Sequence, residues 1–253
     1  MQNPDRFLGR AAAYASARPP YPVALGEWLA GLGLLSGRVA DVGAGTGLFT
    51  QLLLEHGASV DAVEPNPEMR SQLSSALAPA VAAGRLSVHG GTSEHTGLEA
   101  ASVGLVTAAQ AAHWFSPAPT VQEFRRILTR GGKVLFVWND WRGVEQPFNL
   151  AYRDTVSQFY RDGDDPAYIN RVPEAEIPQF MPAGYQKRVF GHPVQLSRER
   201  LHALAGSVSY LPSPSDPQFA AMTAALDRAF AAHAEGETVT LAYQTHAFLG
   251  ALE

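Results

Sequence analysis

The 253-residue sequence predicts an α/β fold, a mostly parallel sheet with helices on both faces, on three observations. Short apolar runs alternate with stretches of helical periodicity, the pattern of strands joined by crossover helices. One such run ends in an acid at Asp41, turns on Gly43, Gly45 and Gly47, and opens a helical pattern at Leu48, Leu52 and Leu53. A second run ends in another acid, Glu64. With 46% hydrophobic residues the chain can bury a sizeable core, and residues 1–253 fit one domain with an insertion better than two domains.

Strands are expected near 38–42, 58–63, 85–89, 102–109, 132–138, 186–195 and 236–247, with helices between them. Ahead of the first strand, residues 1–35 read as a cap segment. Tyr14 and Arg18 stand one helical turn apart there, and Pro19 and Pro20 end the helix behind them. Val121, Phe124, Ile127 and Leu128 have helical spacing, and Gly131 and Gly132 are expected to stop that helix before a strand from Lys133 to Trp138. From about 139 to 185 the alternation breaks. This stretch is rich in Tyr, Phe, Arg, Asp and Pro, and reads as a helical lid inserted over the sheet.

The chemistry sits at the first two acids. Glycines let a backbone come close to a ligand, and a carboxylate at the tip of the neighbouring strand can accept hydrogen bonds from both hydroxyls of a ribose. A nucleoside is the ligand that fits both. A dinucleotide fingerprint, G-x-G-x-x-G, would need glycine at position 48, where this chain has Leu48. A nicotinamide oxidoreductase is therefore disfavoured.

The pattern Asp41-x-Gly43-x-Gly45-x-Gly47 with Glu64 downstream resembles the first motif of class I methyltransferases that use S-adenosylmethionine. The likeness extends to the stretches from Arg10 to Pro22, Glu64 to Arg70 and Ala108 to Phe115. These resemble the small-molecule enzymes of the methyltransferase type 11, ubiquinone-biosynthesis and trans-aconitate kind. The resemblance implies a Rossmann-like sheet of seven strands whose last strand runs antiparallel. One position departs from the pattern, Gly104 standing where the fourth strand commonly opens with aspartate.

By that resemblance, Asp41, Gly43, Ala44, Gly45 and Gly47 hold the amino acid end of the cofactor, Glu64 with Pro65 its ribose, and Thr92, Ser93 and Glu94 its adenine, with Met69 as an apolar cover. Gln110 falls at the carboxyl edge of the sheet, where open α/β folds bind ligands. Trp114 can face the sulfonium through its π system, and Arg18 can pair a carboxylate of the cofactor or of an acidic acceptor. His113 and Tyr14 are the candidate catalytic residues, His113 as a base or donor to the acceptor and Tyr14 closing over the methyl group. Plainer readings stand beside these. Trp114 and Met69 also suit core packing, His113 a surface loop, Ser93 a helix cap, and Tyr14 with Arg18 a solvated helix face.

Composition narrows the partners. A net charge of -5 with only two lysines argues against nucleic acid. The longest weakly polar run, 100–115, contains Gln110 and His113 and is too short to cross a bilayer, so no membrane partner is expected. Charged residues around Ala11 to Ala17 leave no secretory core, and a cytoplasmic location is expected. There are no cysteines, and the histidines other than His113 lack ligand spacing. Asp162, Asp164 and Asp165 read as a solvated turn, so no metal is expected. No G-x-S-x-G hydrolase elbow occurs.

The expected activity is methyl transfer from S-adenosylmethionine to a small oxygen nucleophile such as a carboxylate or phenol, in a monomer or homodimer. Tyr152, Tyr160, Arg161, Tyr168 and Arg171 of the lid are candidates to receive the acceptor. The alternatives are a cofactor-binding protein without catalysis and a C-methyltransferase of quinone-like acceptors.

Overall fold

The computed structural model describes residues 18–160, 172–208 and 210–253. In chain order the elements are α1 (Val23–Gly31), β1 (Arg38–Val42), α2 (Leu48–Glu55), β2 (Ser59–Val63), α3 (Pro67–Ala76), α4 (Ala78–Ala82), β3 (Leu86–His89) and β4 (Val103–Ala109). There follow α5 (Pro117–Ile127), β5 (Leu128–Asp140), α6 (Pro147–Val156), α7 (Ile177–Phe180), β6 (Tyr185–Leu196), α8 (Arg198–Gly206), α9 (Phe219–His233) and β7 (Val239–Gly250).

The strands form one seven-stranded sheet in the order β3-β2-β1-β4-β5-β7-β6. Strands β1 to β5 pair in parallel, and β7 runs antiparallel to both of its neighbours. Val39, Ala40, Asp41 and Val42 are all buried, as a strand covered on both faces requires. The connections reverse direction between β1 and β4, and that switch point opens a crevice at the carboxyl ends of the strands. Register brings the acids to that edge: Asp41 pairs with Ala62 on one side and Thr107 on the other, and Val63, next to Glu64, pairs with Val42.

Several boundaries differ from the sequence reading. The helix of Val121, Phe124 and Ile127 ends at Ile127, and Leu128 already belongs to β5. Gly131 and Gly132 do not stop the helix; they allow a bulge. Val103 pairs with Leu128 while Leu105 pairs with Lys133, and the extra residues loop out through Gly131 at φ +78°. The last strand begins at Val239 rather than 236 because Glu235 and Thr238 close a tight turn on Gly236.

The cap and the lid are also redrawn. Of segment 1–35, residues 18–35 are described, and Leu25, Leu29 and Leu35 pack into the core beside α2. Tyr14 lies outside the described residues, as do Arg161, Tyr168, Arg171 and the acids at 162, 164 and 165. The described residues of 139–185 divide among several layers. Asn139 and Asp140 still belong to β5, and Ile177, Phe180 and Met181 join the main core with Phe124 and Phe136. Among the described residues of the segment, α6 sits apart, where Phe148, Tyr152 and Val156 pack with Leu201, Leu204, Leu226 and Phe230 of α8 and α9 and with Val194, Leu196, Leu241 and Tyr243 at the outer ends of β6 and β7. The layer over the sheet edge is thus assembled from both sides of β6. Among the described residues no helix is long and apolar enough to cross a membrane, and no group of three acids or histidines could hold a metal ion.

Candidate functional site

The turn after β1 is fixed from below. Gly43 N and Ala44 N both donate to the Val63 carbonyl, at 2.8 and 3.2 Å, pinning the loop to the tip of β2. Asp41 is fully buried and accepts from the hydroxyls of Thr50 on α2 at 2.6 Å and Thr107 on β4 at 2.9 Å. Burial pushes its carboxyl up to about 6 against those two hydrogen bonds, and the nearby charge of Glu64 adds to the rise. Asp41 stays in the wall of the crevice, but its oxygens brace three elements before they can meet a ligand. Thr50 and Thr107 had no distinguishing signal in the sequence.

Glu64 faces the glycine loop. Gly45 N donates to one carboxylate oxygen and Asn66 N to the other, each at 2.9 Å. Burial raises the Glu64 pKa, opposed by these amides and by the charge of Arg70. Asn66 also caps α3, accepting from Glu68 N and Met69 N at 2.9 and 3.2 Å, with Pro67 in the first turn. That cap aims Met69 back at the loop.

The three glycines differ in what they are for. A Cβ on Gly43 would lie 2.5 Å from the Ala111 methyl, and one on Gly47 would lie 2.9 Å from Leu73, so packing excludes side chains at both. A Cβ on Gly45 would meet nothing nearer than Met69 sulfur at 4.0 Å. The space above Gly45 is open, and it belongs to a cavity of about 210 Å³.

That cavity gathers most of the residues predicted for the cofactor: Asp41, Gly43, Ala44, Gly45, Glu64, Pro65, Met69, Thr92, Ser93, Glu94, Gln110 and Trp114. It adds Tyr21, Thr46, Phe49, Asn66 and Phe115, which were not singled out for this role. Gly47 falls outside its lining. The Thr46 hydroxyl is buried with no partner among the described residues, and Trp114 is 40% exposed, an unusual state for so large an apolar ring. An unmet buried hydroxyl, an open glycine and an uncovered indole on one wall suit a ligand with polar and apolar parts. Thr92 and His95 close the adjoining turn, and Thr120 ties down Ser93 at 3.0 Å.

Gln110 has φ +55°, and its side-chain amide donates to the Asn139 carbonyl at 3.0 Å. It stands between this cavity and a second one of about 80 Å³; Tyr21, Leu48 and Gln110 line both. The second cavity also holds Arg18, which the sequence reading placed on the cofactor or acceptor, together with Asp140, Trp141, Arg142, Tyr152, Tyr210 and Tyr243.

His113, the candidate base, stands apart from the residues gathered so far. It lines neither cavity. Its ring lies 4.9 Å from that of Trp114, its Nδ1 is buried without a partner among the described residues, and burial lowers its pKa to about 4. An imidazole so desolvated stays neutral through the physiological range.

Residues 40–136 match a family model described as a methyltransferase domain, a stretch that contains the whole glycine loop, Glu64 and Trp114. An uncharacterized methyltransferase of Mycobacterium tuberculosis is 42% identical over 133 residues, 53% of this chain and 51% of that protein. The chain therefore spans about half the length of this curated relative. A methyltransferase-like protein of Schizosaccharomyces pombe is 28% identical over 251 residues, covering 96% of this chain and 93% of its own. Among solved structures, a chain from Anaeromyxobacter dehalogenans named for type II methyltransferases superposes with a TM-score of 0.69 at 21% identity, covering 93% of this chain and 98% of that one, which establishes the shared fold.

Proposed function

We propose that this chain is a class I methyltransferase and that it transfers the methyl group of S-adenosylmethionine to a small-molecule acceptor, an oxygen nucleophile such as a carboxylate or phenol, a reading supported by the matching family model, the full-length relative and the shared fold. The observation that carries the reading is the open space over Gly45, flanked by the Glu64 carboxylate and the unpartnered Thr46 hydroxyl. S-adenosylmethionine, when bound, supplies an activated methyl on a sulfonium. Glu64 would accept the ribose hydroxyls on lone pairs left over from Gly45 N and Asn66 N, and Thr46 with the Gly45 backbone would meet the amino acid end. Thr92 to Glu94 and Met69 would hold the adenine. Trp114 would cover the sulfonium side through its π face.

Methyl transfer from a sulfonium asks the protein chiefly to align two groups and to exclude water. Leu48, Tyr21 and Gln110 stand where the two cavities meet, and Tyr21 packs edge-on to Phe49 with ring centroids 4.9 Å apart, a collar that would narrow the passage between them for that purpose. A neutral His113 outside the cavities is poorly placed to act as a base, which favours an acceptor already ionised near neutral pH.

Calorimetry with S-adenosylmethionine, its demethylated product and a nicotinamide dinucleotide tests the cofactor half. The first two should bind and the third should not, and Glu64→Ala should weaken binding by ~10-fold or more, since a hydrogen bond to a charged acceptor is worth ~1.5–3 kcal/mol. Dinucleotide binding with no response to S-adenosylmethionine would overturn the reading. A screen with methyl-labelled cofactor tests the other half, and label on carbon or nitrogen would contradict the oxygen acceptor.

A further inference from the structure

The second cavity has a chemistry of its own. We propose that it is the acceptor subsite, that it takes a small planar organic anion, and that Arg142 is the specificity-determining residue that holds the anion's carboxylate. The acceptor role rests on the reading that the larger cavity takes S-adenosylmethionine.

Arg142 is prepared for an anion by its neighbour. Asp140 accepts from the Arg142 backbone N and Nε at 2.9 Å each and from Nη2 at 3.2 Å. That pairing fixes the guanidinium plane and uses one edge of the fork. The remaining nitrogen, Nη1, is buried and has no hydrogen-bond partner among the described residues, although Arg142 lines the cavity. Buried guanidinium N–H groups are costly to leave unmet, and a carboxylate oxygen is the acceptor that suits a charged planar donor best.

The walls set the shape. Trp141 and Tyr152 meet edge to face with centroids 4.9 Å apart, and Tyr152, Tyr210 and Tyr243 are almost wholly buried around the same space. Aromatic faces on several sides favour a flat, partly apolar body. The charges among the described lining residues are Arg18, Arg142 and Asp140, which sum to one positive. Burial raises the pKa of all three tyrosines, so their phenols stay protonated and add no negative charge to oppose an anion. The collar of Tyr21, Leu48 and Gln110 is the shared boundary through which an acceptor here would reach the larger cavity.

Benzoate and benzamide, alike in shape and different in charge, are suitable probes for titration calorimetry and ligand-observed NMR on the full chain. Wild type should bind benzoate at least ~10-fold more tightly than benzamide, with and without saturating S-adenosylmethionine. Arg142→Gln should abolish that preference while S-adenosylmethionine affinity stays within about twofold. Because this variant removes the Arg142 pairing of Asp140, the double variant Arg142→Gln with Asp140→Asn is made beside it and should behave the same way. Equal binding of the two probes, no binding of either, competition between benzoate and S-adenosylmethionine, or a preference that survives both substitutions overturns the proposal. With S-adenosylmethionine affinity read on the same samples, its loss in wild type sinks the methyl-transfer reading and the acceptor role with it. A missing charge preference beside intact cofactor binding sinks the anion subsite alone.

Discussion

Gly45→Ala separates binding from folding in this site. The added methyl would lie 4.0 Å from the Met69 sulfur, an ordinary contact, so nothing in the protein has to move. The folding cost is confined to the backbone, since φ at Gly45 is +57° and a left-handed L-residue is disfavoured by ~1–2 kcal/mol. For a chain of this size that is a fall in Tm of about 2–8 °C. The same methyl intrudes on the space assigned to the cofactor, and overpacking of that kind costs ~1–3 kcal/mol, or about 5- to 150-fold in Kd. Gly43→Ala is the contrast. Its methyl lands 2.5 Å from that of Ala111, so the larger loss there should be in stability. Thermal melts of both variants with and without S-adenosylmethionine, together with calorimetric Kd values, give the comparison. If Gly45→Ala binds like wild type, the open space over Gly45 is not where the cofactor lies. If it melts as early as Gly43→Ala, the glycine is there for packing.

Two further outcomes follow from buried ionisable groups. Asp41 has a folded pKa of about 6, above its ordinary value of 3.8, so the folded state binds the extra proton and stability from this group falls as pH rises through that window. The Tm of Asp41→Asn minus that of wild type should therefore grow from pH ~4 to ~6 and level off above, by up to ~3 kcal/mol in free energy; a flat difference would mean the carboxyl is not desolvated. His113 carries the opposite sign for a base, a folded pKa lowered from 6.5 to about 4, so its contribution is intact at neutral pH and fades on acidification. NMR titration of labelled histidine should place one ring, absent from His113→Gln, near pH 4, and a midpoint at its ordinary value would show the ring to be solvated.

The sheet and the glycine-loop half of the candidate site were legible because their signals are local. Asp41, the glycines and Glu64 lie at strand ends that apolar runs mark directly, and the parallel register then carries them to one edge. Asn66 and Pro67 announce α3 in the same way. The rest depends on partners far along the chain. Gly131 and Gly132 look the same in sequence whether they stop a helix or bulge a strand, and only the pairing of β5 with β4 decides. The layer of α6, α8 and α9 brings Tyr152 into one cluster with Leu226 and Tyr243, residues separated from it by β6 and by two or three helices. Arg142 was invisible for that reason, since its interest comes from a wall closed by Tyr210 and Tyr243. The burial of His113 was not legible, because a motif gives a residue's neighbours in sequence and says nothing of its solvent.

The strand order has a consequence for synthesis. Among the described residues β6 pairs with β7 and with no other strand, and β7 is what fills the place between it and β5. A ribosome delivers β6 well before β7, with α8 and α9 between, so for that interval both β5 and β6 carry open hydrogen-bonding edges. Insertion of β7 closes the two together and in the same movement sets Tyr243 into the second cavity. A nascent chain arrested before Val239 would therefore hold its glycine loop on a formed parallel sheet while offering two sticky edges to its neighbours, and quality control would meet it as an aggregation hazard well before its sheet was whole.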